Sequence, residues 1–462
     1  MPAEVWPQPV LDLLAAGGDR PVFEDGPRTV GAAEMLTLIR RIATGLRRAG
    51  IGPGKGVALM LAVTPEAFAA TVAAFAVGAR VSGIRPDLTD GQLAHLLGND
   101  DAALVTDADL PALLAAPDEP LTASGRPGDV ARITYTSGST GNPKGCAQTY
   151  AAMTADWAPH PDRWPPAIRE LAPRLGRHLV FGTLSSRVML DYGILALAAG
   201  GTLVVAHPPA FPQALARHRA TSSVITVGKL YQLVRDLRSH PVDLSGLGAL
   251  LVSGSPLDPG RLREALQVLG PVMFHGYGQT ETGLIAMVTP GEMASSEAAL
   301  ASVGRPPASV DVEVRDGELF VRTPAQSTGY WNDPVETAEV FVDGWVRTRD
   351  LVSLGDDGYL RLQGRARDVI IVNANLIYAG PIERTLASHP DVGEAYVVGR
   401  PDEETGEAIH AYVVPTTGRT PDIALLRKSV AERLGDAAVP RTVTVIDQVP
   451  LAPSGKPDKR AL

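Results

Sequence analysis

Ile133-Thr-Tyr-Thr-Ser-Gly-Ser-Thr-Gly-Asn-Pro-Lys-Gly145 begins as an apolar strand and runs directly into a loop of glycines and hydroxyl side chains that Lys144 closes. β-Branched and aromatic residues at the start favour extended backbone, while Gly138 and Gly141 let the main chain approach a ligand closely. The hydroxyls of Ser137, Ser139 and Thr140, with the adjoining Thr136, can donate to anionic oxygens, and Lys144 adds a compact positive charge. The combination reads as an oligophosphate site of the ATP type. A Walker loop needs Gly, four residues, then Gly-Lys-Ser/Thr, and Pro143-Lys144-Gly145 breaks that spacing. A plain Gly/Ser linker is the bland alternative, and the ordered pattern on both sides opposes it.

Outward from this loop, short apolar strands alternate with helical patterns. Met35, Leu38, Ile39, Ile42 and Leu46 recur at helical spacing between residues 32 and 49, and a glycine-rich turn leads to the run Val57-Ala-Leu-Met-Leu61. A helix near 65 to 77 follows. Further strands fall at 103 to 105, 203 to 205, 224 to 226, 250 to 252 and 272 to 274. This alternation predicts an α/β fold with mostly parallel sheets.

Between about 310 and 363 the texture changes to alternating strands with Asp-Gly turns at 316, 343 and 357, the mark of a small β subdomain. From 364 it resets. Strands are expected at 369 to 372, 395 to 398, 410 to 414 and 442 to 447, with helices from Pro381 and near 422 to 434. These form a small α+β unit, so the division expected is a large domain over 1–364 and a small C-terminal domain over 365–462. Ala115 to Gly128 reads as a surface linker.

At 462 residues and 45% hydrophobic content the chain exceeds the roughly 250 to 300 residues at which single cores stop growing. No run of about 18 apolar residues occurs, and Met1-Pro-Ala-Glu-Val-Trp6 lacks a secretory layout. A soluble cytoplasmic protein is expected, with no membrane role. The single cysteine, Cys146, excludes an intrachain disulfide and a multi-cysteine metal site. With 42 Lys+Arg against 51 Asp+Glu and no basic block, nucleic acid is not an expected partner. Lysine is scarce, at 55, 144, 229, 428, 456 and 459 only, and the Arg, Ala, Gly and Pro excess matches a GC-rich bacterial genome.

Five further segments stand in order along the chain: Gly276-Tyr-Gly-Gln-Thr-Glu-Thr-Gly283, Gly329-Tyr-Trp-Asn-Asp333, Gly344-Trp-Val-Arg-Thr-Arg-Asp350, Gly364-Arg365 and Pro453-Ser-Gly-Lys456. Together with the phosphate loop, they make the sequence resemble, over nearly its whole length, the adenylate-forming superfamily of acyl-CoA synthetases, nonribosomal-peptide adenylation domains and luciferases. That resemblance implies a small C-terminal domain that moves, with its hinge near Arg367, where Asp or Lys is usual. It also implies ATP and Mg²⁺ as cofactors. By resemblance, Tyr277, between Gly276 and Gly278, stacks on adenine, and Ser253-Gly254-Ser255 lines the nucleotide and acid pocket. Thr280 and Glu281 meet phosphate and Mg²⁺. Asp350 accepts the ribose hydroxyls and Arg365 reads the ribose and phosphate side. Lys456 reaches the acid oxygen and the α-phosphate during adenylation only.

The activity so implied is an ATP-dependent ligase that adenylates a small-molecule acid, releases pyrophosphate and passes the acyl group to a thiol of CoA or carrier-protein phosphopantetheine. Some positions depart from the family. Ser186 stands where many members carry His beside the acid pocket, Arg349 where Gly is usual, and Asn373-Ala374 where a Gly-containing pair flanks the pantetheine arm. Those departures leave open a nitrogen acceptor, as in an amide synthetase or a nitrite-adenylating diazotase. A noncatalytic nucleotide-binding protein is the third reading, and the joint presence of Lys144, Glu281, Asp350 and Lys456 opposes it. Ser186, Arg187, Lys229 and His275 are the candidate acid-pocket residues. Arg187 or Lys229 would pair with an anionic substrate, or else extend to solvent.

Overall fold

The computed structural model describes residues 4–462 except 85–89, 101, 137–143, 181, 185, 208–210, 255–256, 258, 373–374, 403 and 451–456; at 90, 92, 95, 99–100, 136, 367, 369, 375–376, 406 and 460 it describes backbone only. The phosphate-loop residues Ser137 to Gly141, as well as Ser255, Asn373, Ala374 and Lys456, therefore lie outside the described residues.

The largest sheet has eight strands in the order Gly283–Val288, Met273–Gln279, Ala249–Ser253, Ser222–Thr226, Arg177–Val180, Thr202–Val205, Pro21–Asp25 and Arg28–Gly31. Its six inner strands run parallel and its two edges antiparallel. Leu250, Leu251 and Val252 are all buried, because a parallel strand covered on both faces has no solvent side to make polar. A second sheet runs Gly329–Tyr330, Lys144–Thr149, Val130–Thr136, Arg80–Gly83, Gly56–Met60 and Ala102–Thr106, with the last four strands parallel. The strand entering the phosphate loop thus starts three residues earlier than the apolar run alone predicts.

Helix Ala32–Arg48 buries Met35, Leu36, Ile39, Ile42 and Leu46, as its spacing requires. Helix Pro65–Ala76 is buried on nearly every side, with Phe68 and Phe75 at 0% and 1% exposure. Its start is set by Thr64, whose hydroxyl accepts the Ala67 N–H at 3.1 Å, with Pro65 at the first helical position; such a cap contributes about 1 kcal/mol. The expected linker is largely exposed coil, yet it is fixed near its end. A Cβ on Gly125 would lie 2.4 Å from the Tyr150 ring, so only glycine fits there, and the Tyr150 hydroxyl donates to the carbonyls of Phe75 and Ala79.

The β subdomain is a five-stranded antiparallel sheet built around Trp345–Leu354, which pairs with Glu318–Arg322, Phe341–Val342 and Leu360–Arg365. Two of its tight turns use Asp-Gly pairs with positive φ at both residues, +49° and +80° at 316–317 and +51° and +80° at 343–344, the backbone that a twisted hairpin needs. After Arg365 a 3₁₀ turn, Ala366–Asp368, leads into the last sheet, formed by Val369–Val372, Asn375–Tyr378, Val392–Asp402, Gly406–Pro415 and Thr442–Val445. Helices Ala379–Ala387 and Ile423–Leu434 pack on it around a separate core that includes Ile382, Leu386, Val397, Leu426 and Val430. Among the described residues no helix is long and apolar enough to cross a membrane.

Candidate active site

The site begins in the hairpin of Trp345–Leu354 and Leu360–Arg365. Its register sets Asp350 opposite Arg365 although 15 residues separate them, and Arg365 Nε lies 3.1 Å from Asp350 Oδ1. Asp350 is 4% exposed. Its other oxygen accepts the Tyr277 hydroxyl at 2.6 Å and Gln279 Nε2 at 2.7 Å. A buried carboxylate has to be held by donors, and these three leave it lone pairs for a further hydroxyl. Burial, then the Asp350 charge, pushes the Tyr277 phenol well above its ordinary range, so it remains a donor.

Tyr277 and Gln279 belong to strand Met273–Gln279, which bulges at Tyr277–Gly278 against its antiparallel neighbour Gly283–Val288. The two flanking glycines differ. A Cβ on Gly278 would fall 2.2 Å from the Gly283 carbonyl, whereas one on Gly276 would meet nothing closer than 3.7 Å. Packing between strands, rather than room for a nucleotide, accounts for Gly278.

Strand Lys144–Thr149 carries Lys144 into the same cleft. Its ammonium lies 2.7 Å from Glu336 and 5.6 Å from the Tyr330 ring centroid. Glu336 also binds Arg349 at 2.8 Å, and Arg349 reaches Glu339 at 2.9 Å. Burial alone would raise the Glu336 carboxyl, but the Lys144 hydrogen bond and the Arg349 charge outweigh it and hold it below the ordinary range. Glu281 accepts the Tyr330 hydroxyl at 2.7 Å. The buried Cys146 thiol beside it is pushed up by burial and then by the Glu281 charge, so Cys146 is no nucleophile.

No cluster of three or more His, Cys, Asp or Glu suited to a metal occurs among the described residues. Mg²⁺ commonly takes one carboxylate together with phosphate oxygens and water, a need that Glu281, which lines the cleft and accepts the Tyr330 hydroxyl, would meet.

The cleft, about 3600 Å³, exceeds the roughly 300 to 1000 Å³ of a single small-ligand pocket. Ser186, Arg187, His275, Ser253 and Gly254 line it beside Tyr277. Lys229 is not brought there: its ammonium donates to Gln232 at 3.0 Å and lies over the Phe211 ring. Arg187, 6% exposed, neither extends to solvent nor stands ready for an anionic substrate, because Asp156, Asp191 and two main-chain carbonyls engage it. Sequence reasoning gave no role to Gln279, Tyr330 or Glu336. All three lie in or next to the quoted motifs, which was the signal present.

One cleft thus joins a buried carboxylate held by a tyrosine, a glutamine and an arginine to a lysine and a further glutamate, acceptors and a cation of the kind a nucleotide requires. The chain belongs to the AMP-binding enzyme family, whose model matches residues 14–122 and 106–331, with the family's C-terminal domain matched over 381–456; it is a member of the adenylate-forming superfamily. A medium/long-chain fatty-acid–CoA ligase from Mycobacterium tuberculosis is 33% identical over 74% of this chain, which spans 63% of that relative's length, under two thirds. A fatty acid–[acyl-carrier-protein] ligase from Streptomyces coeruleorubidus is 29% identical over 94% of this chain and 91% of its own. Among solved structures, the amide bond synthetase McbA from Marinactinospora thermotolerans is 33% identical, with a TM-score of 0.86 over 98% of both chains.

Proposed function

We propose that this AMP-forming ligase adenylates a small-molecule acid and transfers the acyl group to a thiol, either CoA or carrier-protein phosphopantetheine. The observation that carries the adenylation reading is Asp350, held by Tyr277, Gln279 and Arg365 in the cleft that also receives Lys144 and Glu281. Two of the relatives are named as ligases to CoA and to a carrier protein, which supports the thiol.

An acid oxygen attacks the α-phosphorus of ATP, the bond to the bridging oxygen breaks, and pyrophosphate leaves with that electron pair. No group of the protein need become covalently attached, so the residues position reactants and meet charge. Asp350 accepts the ribose hydroxyls and Arg365 faces the phosphate side. Lys144 shifts part of its pairing from Glu336 to the phosphates, and Lys456 meets the acid oxygen and the α-phosphate. Glu281 and Thr280 would hold Mg²⁺ and phosphate; the ion would neutralise charge on the departing pyrophosphate. In the second step a thiol attacks the acyl carbonyl, gives up its proton to solvent, and AMP leaves. A swing of the small domain about Arg367, from a boundary at 364–365, would exchange Lys456 for the thiol channel.

Nitrogen as acceptor is the second reading. It is favoured by the end-to-end match with a structure named an amide bond synthetase. ATP–pyrophosphate exchange over a panel of acids tests adenylation, and silence with every acid and with carrier present would end this reading. Product mass with CoA, a carrier protein or amines then separates the acceptors: an amide with no thioester overturns the thiol.

A further inference from the structure

A cluster of charge beneath residues 279–283 has no part in the roles above. Arg132 lies on strand Val130–Thr136, Gln148 on the adjacent strand Lys144–Thr149, and Asp156 just past helix Tyr150–Thr154. Arg187 and Asp191 stand one turn apart on helix Arg187–Ala198. Arg132 and Arg187 are 5% and 6% exposed. Arg132 reaches Asp191 at 3.2 Å and gives two hydrogen bonds to Gln148 Oε1, at 3.1 and 2.7 Å. Arg187 lies 3.4 Å from Asp191 and 3.6 Å from Asp156. Two cations thus face two anions, the balance that a buried ionic group requires.

The donors left over point one way. Arg187 Nη1 donates to the Thr280 carbonyl at 2.9 Å and Nη2 to the Ala325 carbonyl at 3.0 Å, while Gln148 Nε2 donates to that same Ala325 oxygen at 2.7 Å. A Cβ on Gly283 would lie 2.6 Å from Arg187 Nη2, so the guanidinium sits flush under this loop. Its planar fork fixes two acceptors at once in a way that a single ammonium does not.

We infer that Arg187 is a positioning residue for the phosphate end of the nucleotide: by fixing the Thr280 and Ala325 carbonyls it aims the Thr280 hydroxyl and the Glu281 carboxylate, and it does not touch the acid. The inference rests on the adenylation reading. Groups that orient metal ligands from behind typically change metal affinity or activity by about 10- to 100-fold when removed, and here the loss falls on magnesium-ATP, not on the nucleoside half held at Asp350.

The test needs no acid substrate. The wild type, Arg187→Met and Arg187→Lys are titrated with ATP, with and without Mg²⁺, and with AMP, and their folding is checked by circular dichroism. Arg187→Met should weaken magnesium-ATP about 10-fold or more and leave AMP within about twofold. Arg187→Lys keeps a cation between Asp156 and Asp191, guards against misfolding of the methionine variant, and should fall between the two. Folded variants that bind magnesium-ATP like the wild type, or that lose AMP and magnesium-ATP equally, overturn the inference and leave the adenylation reading standing. A wild type whose ATP affinity ignores Mg²⁺ overturns both.

Discussion

At the scale of single residues, Asp350 and Arg349 are neighbours with opposite needs. The Asp350 carboxylate is oriented by Tyr277, Gln279 and Arg365. In the role proposed for it, Asp350→Ala should remove two charge-assisted hydrogen bonds to ribose, each contributing about 1.5 to 3 kcal/mol. Calorimetry should show AMP affinity falling by about a hundredfold or more, and unchanged affinity would take Asp350 out of the site. Arg349 has φ +60°, which explains why glycine is usual at this position. Its ion pairs with Glu336 and Glu339 accompany a backbone that costs an L-residue about 1 to 2 kcal/mol. Arg349→Ala loses the pairs and keeps the strain, whereas Arg349→Gly loses both. Urea unfolding should therefore rank glycine above alanine by about 1 to 2 kcal/mol, and equal stabilities would mean the backbone relaxes elsewhere.

At the scale of elements, helix Ala379–Ala387 meets the large domain through Arg261 of helix Pro259–Leu269. That guanidinium donates to the carbonyls of Ala387, Val392 and Gly393 at 2.6 to 3.0 Å; Ala387 is an acceptor that a helix end leaves orphaned, and the other two open strand Val392–Asp402. Arg261→Met should speed amide exchange of the small-domain segment 388–393 while leaving the large sheet protected, and identical exchange in the variant would show that this grip is not what holds it. The tail is tied as well: Lys459 lies 2.7 Å from Glu383 and 3.3 Å from Asp368. Burial works against its charge, yet Glu383 and Asp368 hold its pKa above the ordinary value. Three residues ahead of this anchor, Lys456→Ala should abolish acyl-AMP formation and spare transfer from supplied acyl-AMP. Equal loss in both steps would refute that division of labour.

At the scale of the whole molecule, two buried groups set opposite responses to acid. Burial pushes the His178 imidazole down to about 4, and its Nε2 has no hydrogen-bond partner among the described residues. The unfolded chain therefore takes up that proton first. His178's contribution is complete above the ordinary pKa near 6.5 and is lost as pH falls toward 4, by about 3 kcal/mol. Asp156 runs the other way. Burial and then Asp191, against Arg187 and Arg132, push it up to about 6, so it costs stability at neutral pH and returns it as pH falls through that value. In urea unfolding between pH 7 and 4, Asp156→Asn should lose stability more steeply than the wild type, and His178→Asn less steeply. Parallel curves for all three proteins would deny both assignments.

Periodicity and motif order were enough to determine the α/β layering, the β subdomain, both helices and four of the five strands of the C-terminal unit (Asn375–Tyr378 was not expected), and the family. Each of these depends on neighbours in sequence: apolar runs without alternation mark covered strands, and Asp-Gly pairs mark tight hairpins. Asp350 and Arg365 were legible as motif residues, but their pairing required the register of a hairpin. Only tertiary structure decided which charges face one another. Arg187 and Lys229 look equally suited to an anionic acid in sequence, yet three converging elements enclose one, while the other rests against Gln232 and Phe211. A side chain's charge is written in the chain, whereas its partner is set by elements far apart in sequence, as Arg187 and Ala325 are.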